Sequence, residues 1–313
     1  MKRGIFLLAT LFLVTTLTAN VGLAKEERLN IGVTLHPYYS WVSNTVGDTA
    51  DVTPVIPPDF DPHVYQPRPE DLANLKKMDV IVVNLLGHDE YIIPMLKAAG
   101  REDIPKINVN KGLPLIPVFR QRYAFEGEGA EGESVSYNSH TYVAITGAIH
   151  QINTIVRELS KLRPENADLY KKNARAYAKR LRRMLAAALE KVNNLNTESV
   201  RIATVHDGYA YILQELGLET AAVIQPRHGI EPNPRQLQDT INRIKEAGVN
   251  VLFTEVDYMK RYVDIIFQET GCRIYKLSHI SHGPYTSDKF EQDMQRNLDD
   301  IIKALSEANQ VKQ

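Results

Sequence analysis

The sequence contains a single cysteine, Cys272, among 313 residues. One cysteine cannot form a disulfide within the chain, so buried apolar surface has to stabilise the fold. A chain of this length corresponds to roughly two domains of about 150 residues, and such domains fold without a covalent crosslink. The chain also lacks the Gly-x-x-x-x-Gly-Lys-Ser/Thr loop that binds nucleotide phosphates and the His-Glu-x-x-His pair of many zinc hydrolases.

The chain has no excess of charge of either sign. Lysine and arginine number 37 and aspartate and glutamate 38, which gives a formal net charge of -1. A protein dedicated to nucleic acid usually carries a strong basic excess, so the balance predicts no nucleic-acid partner. Hydrophobic residues at 43% and charged residues at 24% are typical of a globular protein.

Long apolar runs are missing except near the N-terminus. Lys2 and Arg3 precede an apolar run at residues 5–14, and small residues end the segment at Ala24. The run is too short to span a membrane, so residues 1–24 are predicted to be a cleaved signal peptide. The segment contains no cysteine for lipid attachment. We therefore expect a periplasmic protein that is not a lipoprotein and has no stable membrane insertion.

Short runs rich in valine and isoleucine alternate with helix-like segments along most of the chain. Such alternation favours parallel sheets covered by helices. The runs of strand length lie at residues 29–35, 51–56, 80–85, 107–109, 201–205, 221–224, 249–254 and 273–277. They fall into two groups, which predicts an α/β fold with two lobes whose parallel-type sheets are flanked by helices. The N-terminal lobe is predicted at 25–163 and the C-terminal lobe at 196–313.

A helical segment separates the two groups of strands. No glycine or proline follows Pro164 up to residue 194, and alanine, leucine, lysine and arginine dominate there. Proline is well tolerated in a first helical turn, and the run is long enough for about eight turns. We predict one long linking helix at 164–195. Such a connector resists large bending and holds the lobes near one relative orientation.

An acidic, glycine-rich segment at 120–139 interrupts the α/β pattern. It contains Glu126, Glu128, Glu131 and Glu133. The simplest interpretation is a solvated surface loop. A second interpretation is an acidic lid that attracts cations, because the segment ends immediately before His140.

Three of the nine histidines lie where predicted elements end. His63 follows the second predicted strand in a proline-bounded loop, His140 ends the acidic segment ahead of a helix, and His206 ends the strand at 201–205. Open α/β sheets place ligands at the carboxyl ends of their strands. Neutral imidazole is a preferred ligand of zinc, so these three histidines are candidate metal ligands.

Four motifs in this order resemble a known family. They are Asp61-Pro62-His63-Val64-Tyr65-Gln66-Pro67, Val205-His206-Asp207-Gly208-Tyr209, Ile230-Glu231-Pro232-Asn233-Pro234 and Val251-Leu252-Phe253-Thr254-Glu255. Together they are similar to segments of the metal-binding solute-binding proteins of bacterial ABC importers for zinc and manganese. The resemblance extends from Leu29 nearly to the C-terminus.

The resemblance implies one metal ion in the cleft between the lobes, bound by His63, His140 and His206. Zinc receptors of this family carry histidine at the position of His206, whereas manganese receptors tend to carry glutamate, because the harder ion prefers oxygen. The resemblance therefore favours zinc, with manganese or another divalent transition metal as the alternative. The second motif departs from the family pattern Asp-Pro-His and reads Asn138-Ser139-His140.

The fourth ligand is the least determined part of this interpretation. Many family members carry a carboxylate near Ser278, where this chain has serine followed by His279. Water is our first choice for the fourth position and His279 the second. Glu255 is a further candidate, although by resemblance it more often accepts a hydrogen bond from a ligand histidine. His36 is interpreted as a residue of the cleft wall.

The function that the resemblance implies is capture of zinc and its delivery to an ABC permease driven by an ATPase, with the receptor acting as a monomer and not as an enzyme. Two alternatives stay open at this point. An exported zinc hydrolase would use three histidines and an open metal position. A metal-dependent adhesion protein or metallochaperone of the same fold would have the same sequence features.

Overall fold

A computed structural model of the chain describes residues 28–58, 65–118, 136–223, 233–255 and 260–310. The predicted signal peptide, His63 and residues 120–135 of the acidic segment lie outside these ranges. Among the described helices, none combines the length and the apolar character needed to cross a membrane.

The first lobe is built on a parallel sheet in the order β2-β1-β3-β4. Its strands are β1 (Leu29–Val33), β2 (Ala50–Pro54), β3 (Val80–Val83) and β4 (Lys106–Asn108). Every residue of β3 is buried, as expected for a central strand covered on both faces. A separate antiparallel pair, β5 (Pro117–Val118) and β6 (Ser136–Tyr137), leads to the segment that carries His140.

The second lobe repeats this topology. Its strands are β7 (Ile202–Thr204), β8 (Thr220–Val223), β9 (Val251–Glu255) and β10 (Arg273–Leu277), paired in parallel in the order β10-β9-β7-β8. Counted from the first strand of each lobe, both sheets have the order 2-1-3-4. The prediction of two lobes with parallel sheets is confirmed.

Helices cover both sheets. In the first lobe they are α1 (His36–Val46), α2 (Pro69–Leu75), α3 (Ile92–Ala99) and α4 (Ile145–Leu162). The long helix between the lobes is α5 (Ala167–Asn193), and the second lobe has α6 (Ala210–Glu215), α7 (Pro234–Glu246), α8 (Lys260–Thr270) and α9 (Lys289–Gln310). The residues Pro164–Asn166, predicted as the start of the long helix, form a single 3-10 turn, which is common at helix N-termini.

One hydrophobic cluster extends from the first lobe through α5 into the second lobe. Tyr170, Tyr177 and Leu181 of α5 are fully buried in it, at the spacing of one helix face. Trp41 of α1 packs edge-on against Phe290 of α9, with ring centroids 5.1 Å apart. Because these contacts cross from one lobe to the other, the lobes share a core in addition to their chain connection. The lobe boundaries given above stay predictions.

Candidate metal centre

Three buried histidines from distant parts of the chain meet in one cluster. One possible ligand atom from each of His140, His206 and His279 lies within 4.8 Å of the other two. The ring centroids of His206 and His279 are 4.2 Å apart, and that of His140 lies 5.0 and 5.1 Å from them. His206 follows β7 and His279 follows β10, so both lie at the carboxyl edge of one sheet. His140 comes from the other lobe.

The tautomer of His140 follows from its contacts with Asn138. The backbone N–H of His140 donates to Oδ1 of Asn138 at 2.9 Å, which identifies that atom as the oxygen of the amide. The same oxygen lies 2.9 Å from Nδ1 of His140. Nδ1 therefore carries the proton, and the lone pair of the ring is on Nε2.

His206 is oriented in the same way by a carboxylate. Its Nδ1 lies 2.8 Å from Oε1 of Glu255, the last residue of β9. A carboxylate at this distance favours the tautomer with the proton on Nδ1, which leaves the lone pair of His206 on Nε2. Glu255 thus lies where its carboxylate can orient the ring of His206.

The two Nε2 atoms of His140 and His206 are 3.3 Å apart. If both are unprotonated, their lone pairs repel unless a proton or a metal cation lies between them. Two nitrogens bound to one tetrahedral zinc ion at about 2.0 to 2.1 Å are about 3.3 Å apart. The spacing therefore fits two ligands of a single ion.

Gly208 leaves room at the centre of the cluster. A Cβ atom at this position would lie 2.5 Å from Nε2 of His279 and closer still to Nε2 of His206. Glycine is the one residue that keeps this space open. The adjacent Tyr209 donates from its hydroxyl to the carbonyl of Leu277 at 2.8 Å, which ties the turn after β7 to the end of β10.

The backbone next to His279 is held in place at Ser278. The side-chain amide of Asn297 accepts from the backbone N–H of Ser278 at 2.7 Å and donates to its carbonyl at 2.8 Å. Ile280, on the other side of His279, has a φ of 59°, which is uncommon for a β-branched residue. Asn297 is itself buried, so α9 fixes the backbone that presents His279.

The segment of His140 is held by a buried network of polar side chains. Thr141 donates to Oδ1 of Asn110 at 2.8 Å, and Gln151 of α4 donates to the same oxygen at 3.0 Å. Asn84 donates to the carbonyl of Ser139 at 3.2 Å. The helix that was predicted to follow His140 begins at Ile145, because residues 141–144 form the turn that this network supports.

His88 lies next to the cluster, although it was not among the predicted ligands. It is buried, and its ring packs at 87° to that of His140 with centroids 4.3 Å apart. It does not belong to the group of three possible ligands. His150 lies within α4, where its Nε2 is 3.1 Å from the carbonyl of Lys111.

His36 lies outside the cluster and connects the two lobes. Its Nε2 is 2.9 Å from the carbonyl of Gly283 and 3.2 Å from that of Pro58, and its ring stacks on Tyr285. Because both partners are carbonyls, the neutral ring carries its proton on Nε2. Burial lowers the pKa of His36 to about 4, the Gly283 carbonyl opposes this shift, and Lys289 and His282 add to it.

The low pKa of His36 predicts that the protein loses stability in acid. A histidine that ionises near pH 6.5 when unfolded binds fewer protons when folded, so its contribution is complete above about pH 6.5. As the pH falls from there to about 4, the free energy of unfolding should decrease by up to about 3 kcal/mol. His36→Phe keeps the ring against Tyr285 and should remove this part of the decrease. Urea unfolding of the metal-free wild-type protein and the variant between pH 4 and 8 measures this decrease. Identical pH profiles of the two proteins would contradict the low pKa of His36.

The fold and this cluster can be compared with known proteins. The model of the family described as "Zinc-uptake complex component A periplasmic" matches residues 31–304. This chain belongs to that family. It is thus the extracytoplasmic, metal-binding component of an ABC importer for zinc or manganese, and it is not an enzyme. The family works with an ABC permease and an ATPase.

Relatives in this family differ in the metal that their names record. The high-affinity zinc uptake protein ZnuA of Bacillus subtilis is 24% identical over 305 residues, covering 96% of this chain and 94% of the relative. The structure of FpvC from Pseudomonas aeruginosa with Mn²⁺ is 47% identical, with a TM-score of 0.82, and covers 90% of this chain and all of FpvC. FpvC with Ni²⁺ is 45% identical with a TM-score of 0.81, covering 90% of this chain and 98% of FpvC.

Proposed function

We propose that this family member captures zinc in the periplasm and delivers it to the permease of its importer. The observation that carries the proposal is the donor set. Three buried imidazoles meet in one cluster, and two of their Nε2 atoms have the spacing of ligands on one tetrahedral ion. His140, His206 and His279 are proposed as three of the ligands, and His63 is proposed as the fourth from its place in the Asp-Pro-His motif. The position of His279 supports a histidine over water as a ligand.

The choice of zinc over manganese rests on ligand chemistry. Manganese prefers oxygen ligands, whereas zinc is satisfied by nitrogen and by four-coordinate geometry. The carboxylate of Glu255 lies against Nδ1 of His206, whereas Nε2 of that ring is the nitrogen that faces His140. Glu255 is therefore proposed to orient a ligand and not to bind the ion.

Export and assembly complete the proposal. A signal peptide cleaved after Ala24 would release the receptor into the periplasm, and residues 1–24 hold no cysteine to carry a lipid. We propose that the mature receptor is a monomer without stable membrane insertion and that it docks transiently on its permease.

Metal content tests the choice of ion. The untagged protein, purified from its own compartment without chelator, should contain one zinc per chain by inductively coupled plasma mass spectrometry. A His206→Ala variant purified in parallel should contain much less, because it lacks a proposed ligand. Manganese or iron as the main metal would overturn the choice of zinc. A metal-free wild-type protein that also fails to take up added zinc would overturn the receptor function.

A further inference from the structure

The side chain of Asn138 bonds both to a site histidine and to the backbone beside another site histidine. Its Oδ1 accepts from the backbone N–H of His140 and faces Nδ1 of the same ring, both at 2.9 Å. Its Nδ2 donates to the carbonyl of Asp207 at 2.6 Å. Asp207 directly follows His206 and belongs to the other lobe. The amide thus joins the two histidines whose Nε2 atoms are 3.3 Å apart.

The surroundings of Asn138 leave it little freedom. The residue is 3% exposed, and its own carbonyl accepts from the hydroxyl of Tyr211 in α6 at 2.9 Å. That hydroxyl in turn accepts from the backbone N–H of Ile116, just before β5. Because the N–H of His140 requires an oxygen opposite it, the amide cannot be turned over without breaking two bonds. Asn138 is therefore fixed from both lobes.

We propose that Asn138 is a positioning residue that couples contact between the lobes to assembly of the metal site. One end of its amide sets the tautomer and direction of His140, and the other holds the turn that carries His206. The proposal rests on the proposed function, because it concerns the same site. At this position, where the family pattern has aspartate, the amide of this chain can also donate to the carbonyl of Asp207. A carboxylate would still orient His140, but its second oxygen would face the carbonyl of Asp207, where two acceptors repel.

The variant Asn138→Asp separates these two roles. If the residue only orients His140, aspartate should bind zinc as well as asparagine does or better, since a carboxylate increases the basicity of the ring. If it also couples the lobes, zinc affinity should fall by about 10- to 100-fold, the range usual for residues that orient ligands. Competition with a chromophoric zinc chelator measures the affinity.

A matched control is available in Asn44. Its Nδ2 donates to the carbonyl of Ser287 at 2.7 Å, from α1 to the segment before α9, and none of its hydrogen bonds involves a site histidine. Asn44→Asp should change zinc affinity less than about twofold. Tyr211→Phe, which releases the backbone of Asn138 and leaves its side chain intact, should weaken zinc binding in the same direction.

A double-mutant cycle completes the test. In a His140→Ala background, Asn138→Asp should reduce zinc affinity less than it does in the wild-type background, because the side chain no longer has a ligand ring to orient. Wild-type affinity in Asn138→Asp, an equal loss in Asn44→Asp, or the same loss with and without His140 would each overturn the proposal. Failure of the wild-type protein to bind zinc would instead overturn the proposed function, so the two outcomes are distinguishable.

Discussion

Alanine in place of His206 is expected to lower the affinity for zinc by about 100- to 1,000-fold, since a structural zinc site of four ligands is worth roughly 10 to 16 kcal/mol in total. The substitution removes an Nε2 atom that lies 3.3 Å from that of His140. It also takes away the ring that separates Glu255 from the centre of the cluster. Isothermal titration with Zn²⁺, in the presence of a competing chelator, measures the loss.

The control for this prediction must be a histidine that has no contact with the site. His150→Ala fulfils this condition, because His150 contacts the carbonyl of Lys111. This variant should change zinc affinity less than about twofold. His88 is unsuitable, since its ring packs on His140. Equal losses in His206→Ala and His150→Ala would contradict the assignment of His206 as a ligand.

The parts of the site that could be predicted from the sequence are those that depend on local pattern. A valine- and isoleucine-rich run followed at once by His206 predicts a histidine at the carboxyl edge of a parallel sheet, and the same reasoning applies to His279 after β10. The motif around His63 indicates the same family that the fold belongs to. The long helix was predictable because nothing interrupts its helical pattern after Pro164.

The parts that could not be predicted depend on contacts between distant residues. Asn297 lies 19 positions from the serine that it holds, and no local pattern marks a single asparagine on an amphipathic helix as a backbone clamp. Asp89 bonds backwards to the N–H groups of Asn84 and Leu85, and His88 is thereby placed against His140. Only the tertiary fold shows these partners.

Both lobes contribute rigid backbone to the cluster. His279 is presented by a residue clamped to α9, and His140 by a loop whose hydrogen bonds extend to α4 and to the ends of β3 and β4. Such support holds the ligand nitrogens near the geometry of the bound ion before the ion arrives, which reduces the cost of ordering on binding. A change at the centre of the cluster should therefore affect metal binding much more than folding.

Gly208→Ala is such a change, and we expect it to reduce zinc binding at least as strongly as the loss of a ligand, by about 100-fold or more. The added methyl group would lie 2.5 Å from Nε2 of His279 and closer to Nε2 of His206. Both atoms are at the tips of side chains, so the rings can rotate away and the backbone can keep its fold. The rotated rings would no longer direct their lone pairs at one point. Zinc titration and thermal unfolding of the metal-free protein together measure the two effects.

Gly100→Ala provides the comparison, because it adds the same methyl group away from the site. Gly100 follows α3 with a φ of 67°, and a Cβ there would have no atom within 4 Å. This variant should lose about 1 kcal/mol of stability from backbone strain and keep wild-type zinc affinity. Gly208→Ala should show the opposite result, with a nearly unchanged metal-free melting temperature and little zinc binding. Normal zinc binding by Gly208→Ala would mean that the ion does not lie between His206 and His279.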